Sequence, residues 1–282
     1  MLTRILHVSD LHVGAHEAPQ ADEATAALVE RTSPDIVVAS GDLTHRGRRE
    51  QHERAAAALR RLGPPVLAVP GNHDIPYTFP ARFTTPWREF ERQWETTEPV
   101  YATDALHVVG MNSVRPYVHQ SGGVRDAQLD RAATRLGAAA PGALRVVVLH
   151  HQLIGAPWRT RKRPVADRTR VLGRLVDAGA ELILGGHIHQ AAVSERHEFE
   201  VIDGDARGTV VSIAPGFAQP RPHRRGEARG CVVYTASDDE LVVDTYIWRD
   251  GDWELTAQRR FARRSKALRG VWPVPDPGAR NT

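Results

Sequence analysis

Seven side chains of the kinds that bind hard metal ions stand in five short motifs along the first two-thirds of the 282-residue chain. Asp10 and His12 lie in Asp10-Leu11-His12, and Asp42 follows Gly41. Asn72 lies in Gly71-Asn72-His73-Asp74, His150 in Leu149-His150-His151, and His187 and His189 in Gly186-His187-Ile188-His189. Carboxylate, amide oxygen and imidazole together suit manganese, iron or zinc better than calcium or magnesium, which prefer oxygen alone. The residues do not choose among the three. Side chains two apart on an extended segment point the same way, so Asp10 with His12, and His187 with His189, are expected to act as pairs. Singly, Asp-x-His and Gly-Asp are weak signals, and Gly-His-x-His is a stronger one. All five in this order fit two divalent ions and phosphate chemistry.

Four of the five motifs directly follow a short run of Ile, Val, Leu or Ala. Each therefore sits where a buried strand ends, the edge at which open α/β sheets bind ligands. Strand-type runs at 4–9, 35–40, 65–69, 144–149 and 181–184 alternate with helix-type runs at 21–31, 49–62, 126–137 and 166–178. A further helix is predicted over 83–95, with Trp87, Phe90 and Trp94 at helical spacing for core packing. Two strands, 100–103 and 105–112, join through a tight turn. After His189 only strands are predicted, at 191–196, 208–213, 230–236, 240–248 and 253–261, with hairpin turns at Asp238-Asp239 and Asp250-Gly251. An α/β half with parallel crossovers followed by a mainly antiparallel half reads as one two-sheet domain over residues 1–262, with helices outside. Residues 263–282 are basic, contain Pro273, Pro275 and Pro277, and read as a mobile tail.

Composition narrows the class. At 41% apolar and 25% charged, the chain has the balance of a globular protein. A net charge of +3 gives no footprint for wholesale nucleic-acid binding. One cysteine, Cys231 in a strand-like run, rules out an internal disulfide and a thiolate cage and suits a reducing cytoplasm. The apolar runs are strand-length, short of the ~20 residues that span a bilayer. The apolar stretch at the start is also too short for a signal peptide.

Together these motifs resemble the calcineurin-like metallophosphoesterases, from about Arg4 to His189. Ser9-Asp10-Leu11-His12, Gly41-Asp42-Leu43-Thr44 and His150-His151 bring the chain nearest to bacterial class III cyclic-nucleotide phosphodiesterase-like enzymes. The resemblance implies a four-layer α-β-β-α sandwich of two mixed sheets with a dinuclear site at the C-terminal ends of the strands. It implies Asp10, His12 and His189 on one ion, Asn72, His150 and His187 on the second, and Asp42 bridging. Two divalent or mixed-valence ions per chain follow, with manganese and iron the leading pair. A metal-bridging hydroxide would then attack the phosphorus of a small diester such as a cyclic nucleotide. His73 would contact the phosphate and protonate the leaving group, and Asp74 would orient its imidazole.

Other residues carry two readings. His151 points away from His150 if the strand continues, which favours packing, yet it could also reach substrate. His45 and His16 could touch substrate from loops or stay solvated, and His7 is expected to be a hydrogen-bonded core histidine. The basic run from Trp158 to Pro164, with Arg159 and Arg161, could grip a second phosphate, a nucleotide or an anionic headgroup. Arg221 to Arg225 form a second such patch. Gln152-Leu153 stands where many relatives carry proline, which leaves the substrate wall open. Rival functions are hydrolysis of a pyrophosphate bond in a nucleotide-sugar lipid such as UDP-diacylglucosamine and, in another class, a scaffold that keeps the fold without catalysis.

Overall fold

A computed structural model describes residues 2–15, 20–118, 120–158, 160–198, 208–217 and 226–263, with only the backbone of 20–22. His16, Arg159, the Arg221–Arg225 patch and the tail from 264 onward lie outside the described residues. Strands β1 (Thr3–Val8), β2 (Ile36–Ala39) and β3 (Val66–Ala68) run parallel, linked by helices α1 (Gln20–Thr32) and α2 (Arg49–Arg60). Strands β10 (Gly230–Ala236), β11 (Glu240–Arg249) and β12 (Asp252–Ala262) extend this sheet antiparallel on the other side of β1, in the order β12-β11-β10-β1-β2-β3. The second sheet has the order β4-β5-β6-β7-β9-β8, from β4 (Val100–Ala102), β5 (Leu106–Gly110), β6 (Leu144–Val148), β7 (Leu182–Gly185), β8 (Ala192–Glu195) and β9 (Val210–Ile213). Among the described residues, the strands after His189 thus pair antiparallel except for β9, which also joins β7 in parallel. Asp250 and Gly251 both adopt positive φ in the β11–β12 hairpin, the left-handed turn that matches strand twist.

Three apolar clusters define four layers. Ile5, Val38, Val108, Val146, Leu184 and Tyr234 fill the space between the sheets. Their chain neighbours face outward: Leu6 and Val37 pack under α1 and α2, and Val109 and Val147 pack under α5 (Asp126–Gly137) and α6 (Arg168–Asp177). Strands buried on both faces explain the unbroken β-branched runs in the sequence. The helix predicted over 83–95 is two helices, α3 (Ala81–Thr84) and α4 (Arg88–Trp94). Pro86 has no N–H to continue the first, and Thr85 before it leaves the helical region at φ −142°, ψ 53°. Phe90 and Trp94 do pack against the outer core. No described helix is long and apolar enough to cross a membrane.

One polar chain crosses the inner core. His7 bonds Ser40 Oγ at 2.8 Å and the Tyr234 hydroxyl at 3.1 Å, and that hydroxyl donates to Ser212 Oγ of the other sheet at 2.7 Å. Burial pushes the His7 pKa down to about 3, against a smaller upward pull from Asp10, so the ring is neutral. Tyr234→Phe would strip one partner from both His7 and Ser212. A loss of about 1–3 kcal/mol is expected from urea denaturation, the cost of buried polar groups left unpaired. An unchanged midpoint would mean that this chain of hydroxyls contributes nothing to holding the sheets together.

Candidate metal centre

The parallel strands deliver the motifs to one edge, and the backbone then bends sharply. Asp10, His12, Asp42, His187 and His189 all have positive φ, between 47° and 72°. They are five of the nine non-glycine residues in that region among the described residues. Asp10 and His12 therefore meet through left-handed turns and not through the alternation of an extended strand, whereas His187 and His189, expected as a pair, are turned into two different groups. Such conformations cost of order 1–3 kcal/mol each and gather at functional sites. Space is equally tight: a Cβ on Gly186 would lie 1.8 Å from Ser9 Oγ, and one on Gly71 would lie 2.3 Å from Asp42 Oδ1.

Two groups of donor atoms result. In the first, His189 Nε2 lies 3.0 Å from Asp10 Oδ1 and 3.2 Å from His12 Nε2. In the second, His150 Nε2 lies 3.3 Å from Asp42 Oδ1, 3.3 Å from Asn72 Oδ1 and 3.2 Å from His187 Nδ1. The other Asp42 oxygen, Oδ2, faces the first group, 3.9 Å from His12 Nε2. Asp10 Oδ1 and Asp42 Oδ2 are buried and accept no hydrogen bond. Buried carboxylate oxygens surrounded by ring nitrogens, without hydrogen bonds of their own, are the setting in which a cation belongs.

The surrounding carbonyls fix which nitrogens face the groups. His150 Nδ1 lies 2.8 Å from the Ser40 carbonyl and His187 Nε2 lies 3.2 Å from that of Gln120. A carbonyl only accepts, so each of these nitrogens carries a proton, and His150 Nε2 and His187 Nδ1 are the ring atoms that face the shared space. Asp10 Oδ2 is occupied by Ser9 Oγ at 2.7 Å and His187 N at 2.9 Å, which aims Oδ1 inward. Burial alone would raise the carboxyls of Asp10 and Asp42, but the histidines around them, His189 for Asp10 and His150 for Asp42, hold both well below the usual range. Burial also opposes charge on His150, yet Asp42 and Asp10 draw its pKa up to about 9. The rings of His12 and His187 are pushed down chiefly by burial, His12 to about 3, and stay neutral donors.

His73 stands beside the first group, its ring 4.7 Å from that of His12. Its expected partner is elsewhere. The Asp74 carboxylate accepts from Gly71 N at 2.8 Å, Leu43 N at 3.1 Å, Thr44 N at 2.8 Å and Thr44 Oγ1 at 3.0 Å. Asp74 is thus a buckle between two motif loops, not the group that orients the imidazole. His73 Nδ1 instead meets the His45 carbonyl at 2.8 Å and the Tyr77 hydroxyl at 2.9 Å. Tyr77 was not singled out from sequence, and its place four residues beyond His73 is the one signal that could have found it.

The remaining candidates divide. The His45 ring stacks on His73 at 6.0 Å, inside the site. His151 is buried, bonded to Ser113 Oγ at 2.9 Å and packed 4.5 Å from the His187 ring, which makes it a support and corrects its assignment as a substrate contact. Arg161 is exposed, and the cation of its loop that reaches the motifs is Lys162, whose ammonium donates to the His187 carbonyl. Gln190 Oε1 holds Trp158 N at 2.9 Å, so the basic loop is stapled to the Gly-His-Ile-His segment twice. Glu227, also missed in the sequence, lies 3.9 Å from His189 Nδ1.

The calcineurin-like phosphoesterase profile matches residues 3–191, and the chain belongs to that family. It is therefore a hydrolase, and membership implies divalent metal ions. The chain is 30% identical over 208 residues to a probable cyclic nucleotide phosphodiesterase of Synechococcus sp., covering 70% of this chain and 77% of that protein. It is 26% identical over 252 residues to the 3′,5′-cyclic adenosine monophosphate phosphodiesterase CpdA of Haemophilus influenzae, covering 80% and 88%. Among solved structures, purple acid phosphatase PPD1 of yellow lupin (Lupinus luteus) aligns with a TM-score of 0.69 at 13% identity, a likeness of fold alone. That match takes in 99% of this chain and 57% of the lupin protein's length.

Asp74→Asn tests the buckle. Turning an acceptor into an NH₂ that faces backbone N–H groups should lower stability by about 1–3 kcal/mol in denaturant titration. A variant of unchanged stability that lost only turnover would restore the dyad with His73.

Proposed function

We propose that this chain is a dinuclear metal-dependent phosphodiesterase whose leading substrates are cyclic nucleotides. The observation that carries the reading is the pair of donor groups sharing Asp42, with two buried carboxylate oxygens turned into them without a hydrogen bond. Asp10, His12 and His189 would hold one ion, Asn72, His150 and His187 the other, and Asp42 both, with manganese and iron the favoured pair. Bound there, the ions supply Lewis acidity to the phosphoryl oxygens and lower the pKa of water. Two relatives described as cyclic-nucleotide phosphodiesterases favour a diester over a monoester. The folded unit is read as residues 1–262, in a reducing compartment that suits the buried thiol of Cys231.

The protein's own contribution at the leaving group is His73. Because Nδ1 donates to the His45 carbonyl, Nε2 is the atom left to give and take a proton at the departing alkoxide. Tyr77 keeps the ring from turning.

Purified protein should hold two metal ions per chain by elemental analysis and cleave an aryl phosphodiester faster than the matching monoester when manganese is added. Preference for the monoester would overturn the diesterase reading, and metal-free protein of full activity would overturn the metal centre. His73→Ala is expected to lower kcat by about 10²–10⁴-fold with both metals retained. Loss of metal in that variant would make His73 a ligand instead.

A further inference from the structure

The aromatic side chains at the rim of the site are more exposed than packing explains. Tyr77 (43%), Phe79 (81%), Phe83 (41%) and Tyr117 (77%) all show large fractions of their surface to solvent. They come from two connections, one after β3 that includes α3 and one after β5, at the strand edge that carries the metal motifs. The rings of Phe79, Phe83 and Tyr117 form a connected shelf. Phe83 stacks on Tyr117 at 5.2 Å with 17° between planes, and Phe79 lies 6.5 Å from Phe83. Tyr77, two residues before Phe79 in the chain, is 5.7 Å from the ring of His73. Beneath them the buried guanidinium of Arg82 donates to the Pro116 carbonyl at 2.8 Å and the Pro76 carbonyl at 3.3 Å, which ties the two connections together. The shelf is therefore held in place before anything binds.

We propose that Phe79, Phe83 and Tyr117 form the subsite for a flat aromatic substituent of the substrate, the base of a nucleotide whose phosphate lies at the metal centre. This rests on the phosphodiesterase reading above. A π-face suits any base, and an aromatic ring stacked on a base is worth roughly 5- to 150-fold in binding. An alkyl substituent would gain only from covered area. A second copy of the chain is the weaker occupant. An aromatic ring buries about 150–250 Å², so three part-exposed rings fall well short of the ~800 Å² per partner of a stable interface.

The test uses Phe79→Ala, Tyr117→Ala and the double variant of the full-length protein, loaded with manganese. Three measurements are made: kcat/KM on cyclic AMP, kcat/KM on the ring-free diester glycerophosphocholine, and AMP affinity by calorimetry. The double variant should lose at least about tenfold in kcat/KM on cyclic AMP, mainly through KM. It should lose a similar factor in AMP affinity and stay within about twofold on the ring-free diester. Equal losses on both diesters, or unchanged AMP affinity, would overturn the subsite. So would a dimer by light scattering that the double variant converts to monomer while its selectivity is kept. If the wild type cleaves neither diester yet binds AMP through these rings, the subsite stands and the phosphodiesterase reading fails.

Discussion

The constraint that governs this molecule is the convergence of buried lone pairs on one small volume. Two carboxylates, an amide and four imidazoles, carried by five segments of chain, must meet with their donor atoms about 3–4 Å apart. Left alone, such an arrangement disfavours folding, since burial strips solvent from every donor and the turns that bring them in are left-handed. The strands on either side make it possible. Their β-branched residues are buried on both faces and hold the motif loops against springing back. Hydrogen bonds behind the donors, from Ser40, Gln120 and Ser9, then settle which atom of His150, His187 and Asp10 points inward, and the Asp74 buckle holds the loops beside Asp42 and Asn72.

Much of this was legible in the residues because strand cores and ligand chemistry are local properties. Val146 and Val148 could only be a doubly buried strand, and His150 had to follow at its end. The donor set itself came from residue types alone. Backbone handedness was not legible: nothing in Asp10-Leu11-His12 separates an extended pair from two left-handed turns, since both put the side chains on one side. The roles of neighbours were hidden for a different reason. Asp74 is adjacent to His73 in the chain, but a carboxylate goes where unpaired N–H groups are densest, and the loops around Leu43 and Gly71 supply three.

The basic loop shows the same limit from the other side. A run of arginines and lysine announces charge, not direction. Arg161 points to solvent while Lys162, carrying the same charge, folds back onto the metal motif. Similarly, Phe79 and Tyr117 are 38 positions apart and become neighbours of one shelf only through the crossing of two sheets. Reaction chemistry is written in short contiguous motifs, whereas the choice of substrate is written in contacts between distant loops.

The polar chain from Ser40 to Ser212 and the donor groups have one thing in common: both straddle the seam between the two sheets. Asp10, Asp42 and Asn72 issue from one sheet, and His150 and His187 from the other. Any ion gripped between them is a rivet across that seam, so sliding one sheet against the other would open its coordination. Occupancy and rigidity are then linked quantities. Ligand loading resists shear of the sandwich, and a substitution that loosens the sheets far from the edge would be felt as weaker affinity for the ion.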